Sequence, residues 1–379
     1  MNSLINFALF SALVNGGYIV TLKSQTRSDP TVAHLAKVRS LFSSNLRMNN
    51  PNEIKHIFNT TFSGYSADLS RDVLKKIKAM PEVEAVEEDQ VVKAFSRQSN
   101  APWGLARLSS SGTISKNSRD LVYTFDPSGG KGVDVYVIDT GININHPEFE
   151  GRAVWGANFI DGSPNIDENG HGTHCAGTIA SKAFGVAKSA TVVGVKVLDA
   201  QGQGMNSQII AGIEWVIRNR RSGRGSVINM SLGSSHSMST NSAVRAAVRA
   251  GIVVSVAAGN DNADACNTSP ASEPSVITVG ASNVYDARAS FSNWGRCLDV
   301  FAPGQDILST WNQGYSNTLS GTSMASPHVA GLAAYFMSMG GQTTPSSVEQ
   351  MIKAYAQKNL LTNVNSSPNL LINNGAEKS

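Results

Sequence analysis

Apolar positions follow two different rhythms along this chain, and the change comes near residue 95. Before it, short apolar runs alternate with helical spacing. Tyr18-Ile19-Val20-Thr21-Leu22 reads as a strand. From Thr31 to Leu46 the positions Val32, Leu35, Ala36, Phe42 and Leu46 recur at helical spacing. Ile54 to Phe58 predicts a second strand. Ser70 can cap a helix with Val73, Leu74 and Ile77 on one face and Pro81 just past its end. Val83 to Val86 and Val91-Val92 supply further strand. Strand–helix–strand–strand–helix–strand is a split βαβ, ferredoxin-like α+β pattern, and it predicts a self-contained module over 17–95. Ser96 to Asn100 is polar and lacks a core pattern, so the boundary is drawn after Phe95.

From 96 to 379 the apolar stretches become continuous. Val133 to Ile138 is broken only by Asp134, and Val192 to Leu198, Val227 to Met230, Ile252 to Ala257 and Val276 to Val279 are of the same kind. Thr173 to Ala183, Ser207 to Asn219 and Ser242 to Ala250 read as helices between them. Buried strands alternating with helices predict a parallel sheet covered on both faces. Such sheets place their sites at the carboxyl ends of strands. A last apolar run, Val329 to Met337, follows Gly321-Thr322-Ser323-Met324-Ala325-Ser326-Pro327-His328, where turn residues give way to a helix. No internal repeat or low-complexity segment interrupts the pattern.

At 379 residues the chain has room for two or three domains. Charged residues make up 16 % and glycine is plentiful, which fits a globular protein with a sizeable core. The net charge of +3 and the absence of a basic stripe argue against a nucleic-acid partner. No apolar run is long enough to span a bilayer. Leu4 to Val14 is a short apolar run ending at Val14-Asn15-Gly16. It reads as a secretory signal over 1–16, hence a secreted, extracellular or cell-surface protein. The positive n-region is missing, and a buried first strand or helix is the alternative. Asn59, Asn229, Asn267 and Asn365 begin tripeptides that could accept N-glycans.

Candidate chemistry sits where elements meet. Asp139-Thr140-Gly141 closes the first apolar strand, and a carboxylate there either forms a turn or serves a site. Asn169-Gly170-His171-Gly172-Thr173-His174-Cys175 puts a glycine-flanked histidine at a helix start. His171, His174 and Cys175 could be metal ligands, but closed sites usually need four and no second cluster appears. Ser323 stands in the opening turn of the last helix. Unpaired N–H groups and the helix dipole there suit a developing negative charge, although an N-cap is the ordinary reading. Asp, His and Ser, each beside glycines at element ends, are the parts of a nucleophilic triad. An α/β-hydrolase would want Gly-x-Ser-x-Gly and the order Ser…Asp…His, and neither is present.

In the order Asp…His…Ser, the segments Asp139-Thr140-Gly141, His171-Gly172-Thr173-His174 and Gly321-Thr322-Ser323-Met324-Ala325 resemble the three signatures of the subtilisin-like serine proteases, for which this order is known. The match reaches most of 100–340. Ala101-Pro102-Trp103-Gly104-Leu105, Ser290-Phe291-Ser292-Asn293 and Phe301-Ala302-Pro303-Gly304 resemble the proteinase K branch, and 17–95 resembles the family's inhibitory propeptide. The resemblance implies an α/β, three-layer subtilisin-like domain over 96–379 with a central, mostly parallel sheet. It implies Ser323 as nucleophile, His171 as base and then acid, and Asp139 as the group that orients the imidazole. It makes the Asn260 amide an oxyanion donor with the Ser323 N–H, where Asn260 alone would read as a turn residue. Gly202-Gln203-Gly204 and Ser231-Leu232-Gly233 match two substrate-binding edges for strand addition, although Gly202 and Gly204 alone would read as an ordinary loop. Small residues around Ala257, Ala258 and Gly259 leave room for a large apolar side chain in the first pocket.

Three cysteines leave one over. The resemblance implies a Cys266–Cys297 disulfide and a buried free thiol at Cys175. It also matches Pro274, Val276 and Asp299 to a structural calcium site of two backbone carbonyls and a carboxylate. The expectation is a secreted serine endopeptidase acting on proteins and peptides, a monomer when mature. It is made as a zymogen that cuts itself between Phe95 and Ser96 and is inhibited by its own propeptide. A catalytically silent binding protein on the same scaffold is the competing reading. The presence of Asp139, His171, Ser323 and Asn260 together argues against it.

Overall fold

The computed structural model describes residues 17–23, 30–43, 52–89, 95–114, 120–340 and 344–376. The signal expected over 1–16 and the strand expected at Val91-Val92 lie outside them. The chain divides into two compact units, 1–93 and 94–379.

In the first unit β1 (Tyr18–Leu22), β2 (Glu53–Phe58), β3 (Gly64–Asp68) and β4 (Val83–Glu88) form an antiparallel sheet in the order β2-β3-β1-β4. Helices α1 (Pro30–Ser43) and α2 (Arg71–Lys78) contribute Leu35, Val38, Val73 and Ile77 to its core, against Val20, Leu22, Tyr65 and Ala67. The strand β3 was not expected: Gly64-Tyr65-Ser66-Ala67-Asp68 carries only one large apolar residue. The inward face of α1 also differs from the apolar spacing. Val32 is 72 % exposed, and His34 is buried in the core, 3.2 Å from the Tyr65 hydroxyl and 3.2 Å from the Glu82 carboxylate.

In the second unit a nine-stranded sheet runs, in spatial order, Gln357–Lys358, Leu370–Leu371, Val300–Pro303, Ile277–Ser282, Val253–Ala257, Gly225–Met230, Val133–Asp139, Thr191–Lys196 and Ala153–Asn158. All neighbouring pairs are parallel except the first. Because successive strand residues face opposite sides, one sheet feeds two cores. Val135, Val137, Val192, Val227 and Val279 pack with α3 (Trp103–Ser109), α4 (His171–Ala180), α7 (Thr322–Gly340) and α8 (Pro345–Tyr355). Tyr136, Ile138, Val195, Ile228 and Val254 pack with α5 (Asn206–Asn219) and α6 (Met238–Arg249). Asp134, the polar break in the strand Val133–Asp139, is fully buried. Arg221 Nε donates to its Oδ2 at 2.6 Å and Arg224 Nε to its Oδ1 at 2.8 Å, which removes the cost of an unpaired buried charge.

The polar stretch after Phe95 is not a free linker. Ser96–Ser99 is a strand paired antiparallel with Val122–Phe125. Its side chains are alternately half-buried and exposed, and backbone pairing holds it without an apolar signal. Cys266 and Cys297 are bonded with Cα atoms 5.3 Å apart, 31 residues apart in sequence, and Cys175 is a buried free thiol. Closing a loop of that length stabilises by roughly 3–4 kcal/mol in the chain-entropy model. Among the described residues no helix is long and apolar enough to cross a membrane.

Candidate active site

Asp139 ends the strand Val133–Asp139 at its carboxyl edge and is fully buried. His171 opens α4 and Ser323 is the second residue of α7. The helix α4 can approach the Asp139 turn because residue 172 is glycine: a Cβ there would stand 2.1 Å from the Gly141 carbonyl oxygen. The His171 Nδ1 atom lies 2.8 and 3.0 Å from the two Asp139 oxygens. The Thr140 N–H donates to Asp139 Oδ1 at 2.7 Å. Burial opposes a charged imidazole. The Asp139 charge and hydrogen bond, with the charge of Asp167, outweigh it and hold the His171 pKa above its ordinary 6.5.

The Ser323 hydroxyl donates to the Ser231 carbonyl at 3.1 Å, and the Ser231 hydroxyl donates to the Ser323 carbonyl at 2.7 Å. The hydroxyl is thus turned to a backbone acceptor, a common looseness in sites without substrate. Asn260 is exposed beside it. Its Oδ1 accepts from the Thr322 N–H at 2.8 Å and the Thr322 hydroxyl at 3.0 Å. With the oxygen held twice, the NH₂ is the end left for a ligand. The Ser323 N–H belongs to the first turn of α7, whose N–H groups have no acceptor within the helix.

Two hollows flank Ser231–Gly233. One, of about 520 Å³, is lined by Leu232, Gly233, Ala257, Gly259, Asn260, Asp261, Asn267, Thr268 and Ser323, among others. The other, of about 570 Å³, is lined by His171, Gly202, Gln203, Gly204, Ser231, Leu232 and Gly233 with their neighbours. The structure therefore brings together the triad, Asn260 and both expected substrate edges. Ala258 is the exception: it is fully buried, and its carbonyl accepts from the Asn293 amide at 3.0 Å.

Several supporting groups had no signal in the sequence. Asp167 is buried and accepts from the Thr140 hydroxyl, the Asn169 and Gly170 N–H groups, and the Thr173 N–H and hydroxyl, at 2.6–3.1 Å. It fixes the start of α4 to the turn after Asp139. Lys196, fully buried, donates to the Thr140 and Leu198 carbonyls at 2.8 and 2.9 Å, tying that turn to the wall of the second hollow. Asn293 holds the Asn260 loop from behind: its Oδ1 accepts from the Asp261 and Ala263 N–H groups at 3.0 and 2.9 Å.

The Subtilase family model matches residues 130–371, and the peptidase inhibitor I9 model matches 17–95. The chain belongs to the subtilase family. This subtilase is 50 % identical over 326 residues to a cuticle-degrading protease of Metarhizium anisopliae, covering 84 % of this chain and 82 % of that one. It is 49 % identical over 312 residues to proteinase R of Parengyodontium album, covering 82 % and 79 %. Among solved structures it is similar to a cold-adapted subtilisin-like serine proteinase, with a TM-score of 0.68 and 46 % identity over 73 % of this chain and 98 % of that one. The protein is thus a subtilisin-like serine protease, a hydrolase, with an I9 propeptide module at its N-terminal side.

Four expectations for this subtilase need revision or sharpening. The His174 ring Nε2 lies 3.0 and 3.1 Å from the Ile307 and Asn317 carbonyls, and burial lowers its pKa to about 4, so it is a packed neutral residue. Cys175 comes within 4.8 Å of Asp139 and His171, but burial and the Asp139 charge push its thiol pKa well up, which keeps it an inert thiol. The calcium set does not fit as it stands. Asp299 Oδ1 receives the Lys353 ammonium at 2.7 Å, and Oδ2 accepts the Thr278 N–H at 2.9 Å. The carboxylate that would bind the ion already holds a cation of the chain's own. Of the glycan acceptors, Asn229 is fully buried, with Ser231 and Ser326 as hydrogen-bond partners, and is out of reach of a glycan.

Proposed function

We propose that this subtilase is a secreted endopeptidase in which Ser323, His171 and Asp139 are nucleophile, general base and orienting carboxylate. The observation that carries the reading is the His171–Asp139 pair, with both carboxylate oxygens on Nδ1 and the imidazolium stabilised relative to a free imidazole. A peptide adds as a strand between 202–204 and 231–233. The Ser323 hydroxyl leaves the Ser231 carbonyl, passes its proton to His171 Nε2 and attacks the scissile carbonyl carbon. The oxygen that becomes negative receives the Asn260 NH₂ and the Ser323 N–H. The imidazolium, held by Asp139, returns the proton to the leaving amine and an acyl-enzyme remains. Water, deprotonated by the same imidazole, releases the acid. The first hollow, with Leu232, Ala257 and Gly259 on its wall, favours large apolar residues before the cut.

The same reading makes the chain a zymogen that cuts itself between Phe95 and Ser96. The I9 match ends at residue 95, Phe95 is 40 % exposed, and Ser96 begins a strand of the second unit. Secretion is supported by the apolar run before residue 16 and by the disulfide, which persists in oxidising compartments. Calcium at Asp299 is not part of the reading.

The test has two parts. A serine-directed phosphonylating reagent should label the wild type and not Ser323→Ala. N-terminal sequencing of the mature protein should begin at Ser96, and Ser323→Ala expressed alone should stay uncleaved. Labelling retained in Ser323→Ala refutes the nucleophile. Processing of that variant at the same bond, in a protease-free preparation, refutes self-cleavage.

A further inference from the structure

We propose that the Lys353 ammonium stands permanently where the family's calcium ion is expected at Asp299, so that this corner of the fold is stable without calcium. The inference rests on the subtilase membership only for the expectation of an ion; the contacts are this chain's own.

Asp299 lies just before the strand Val300–Pro303, and its Oδ2 accepts from Thr278 in the strand Ile277–Ser282. Its Oδ1 accepts from Lys353 on α8, 54 residues on in sequence. One carboxylate therefore ties two strands and a helix, which is the cross-linking a bound ion would supply. Helix α8 sets the position of the ammonium. Thr344 caps it, Pro345 sits in its first turn, and Val348 and Ile352 are buried in the core. Lys353 then faces Asp299, and Glu349 one turn back accepts from the same ammonium at 2.6 Å. Although burial works against its charge, these carboxylates hold the Lys353 pKa above its ordinary value.

Charge and geometry both favour the tethered cation. Calcium takes six to eight oxygens at roughly 2.3–2.6 Å. An ammonium 2.7 Å from Oδ1 takes up the approach to that oxygen. Calcium entry would need Lys353 to leave both Asp299 and Glu349, or would set a divalent ion against a retained positive charge. A free ion stabilises only by mass action and is lost to a chelator. An ammonium fixed to the chain cannot be chelated.

The experiment uses the protein blocked with a serine-directed phosphonylating reagent, so that autolysis does not intrude. Calcium uptake is counted by isothermal titration, and the melting temperature is read in calcium chloride and in chelator, for wild type, Lys353→Arg, Lys353→Met, Asp299→Asn and Lys353→Met/Asp299→Asn. Lys353→Met should bind one more calcium per chain than wild type. It should melt roughly 2–4 °C lower in chelator and recover in calcium. The double variant should lose both the extra ion and the recovery. Lys353→Arg, which keeps a cation in place, should match wild type. A wild-type calcium count that falls by one in Asp299→Asn overturns the proposal, and so does a Lys353→Met count equal to that of wild type. If Lys353→Met folds only in calcium, the proposal is supported. If it folds in neither condition, the comparison of wild type with Asp299→Asn still decides. No readout depends on peptidase activity, so failure here is separate from failure of the proposed function.

Discussion

Asn293 offers a direct test of how the proposed oxyanion donor, Asn260, is held. It is fully buried behind the Asn260 loop. Its amide donates to the Ala258 carbonyl at 3.0 Å, and its oxygen accepts from the Asp261 and Ala263 N–H groups at 3.0 and 2.9 Å. The loop is shaped to meet it: Gly259 has φ +104°, and a Cβ there would stand 2.3 Å from the Asn293 amide nitrogen. Asn293→Ala deletes these three bonds. At about 1 kcal/mol net each, the loss is about 3 kcal/mol, more if the two N–H groups stay dry. For a unit of this size that is a fall of roughly 5 °C in melting temperature. The catalytic cost has a ceiling. Removing an oxyanion amide from a subtilisin is known to cost about 10²–10³ in kcat, and a loop that merely drifts cannot cost more through that route. The assay is a double-mutant cycle on peptide hydrolysis, run well below the lowest melting temperature. Asn293→Ala should lower kcat with little change in KM. In the Asn260→Ala background the same change should lower kcat much less, because its target is gone. An unchanged kcat in Asn293→Ala, or an undiminished loss in the Asn260→Ala background, refutes the reasoning.

Other outcomes follow from the same geometry. Ser323→Ala, His171→Ala and Asp139→Asn should each abolish most activity and combine non-additively; additive losses would count against a single catalytic unit. Activity requires neutral His171, whose pKa is held above 6.5, so kcat/KM should reach half its maximum above pH 6.5 as pH rises. Asp167→Asn removes one of the charges that raise that pKa and should move the acid limb to lower pH; an upward move refutes the assignment. Replacing Cys266 and Cys297 by alanine should cost roughly 3–4 kcal/mol in a denaturant titration, and an unchanged midpoint would refute the loop-closure account. Glycopeptide mass spectrometry should find Asn229 unmodified in folded protein, since its amide is fully buried.

The strands and helices that were legible are those whose residues report burial directly. Val133 to Ile138 and Val227 to Met230 are nearly all apolar because both their faces are covered, and each has a neighbouring strand on both sides. Ser96–Ser99 and the short edge pairs leave little mark on side-chain type because backbone pairing holds them, and Gly64–Asp68 is buried with only Tyr65 as a large apolar residue, too few for an apolar pattern to mark it. The inward face of helix α1 was read only in part: Leu35 and Phe42 pack on the core as expected, and Val32 does not. An apolar pattern has no means to anticipate that His34 is buried beside Tyr65 and Glu82 while Val32 faces water.

The site divides along the same line. Asp139, His171 and Ser323 could be read because each sits in a glycine-marked turn at an element end. Their supports could not, because a hydrogen bond is defined by a partner that sequence order does not reveal. Asp167 collects donors from Thr140 and from 169–173, Asn293 braces a loop some thirty residues before it, and Lys353 reaches Asp299 from another element. Asn260 stands between the two cases. Family likeness marks it as an oxyanion donor, but its orientation depends on Thr322, which gives both an N–H and a hydroxyl to its oxygen. An amide has one end that accepts and one that donates, so occupying the first leaves the second for a ligand. The serine's neighbour in sequence thus aims the amide that serves the serine's chemistry. In α7 the opening turn supplies the proposed nucleophile, a backbone N–H and the group that orients the proposed second donor, so a displacement of that one turn would disturb all three together.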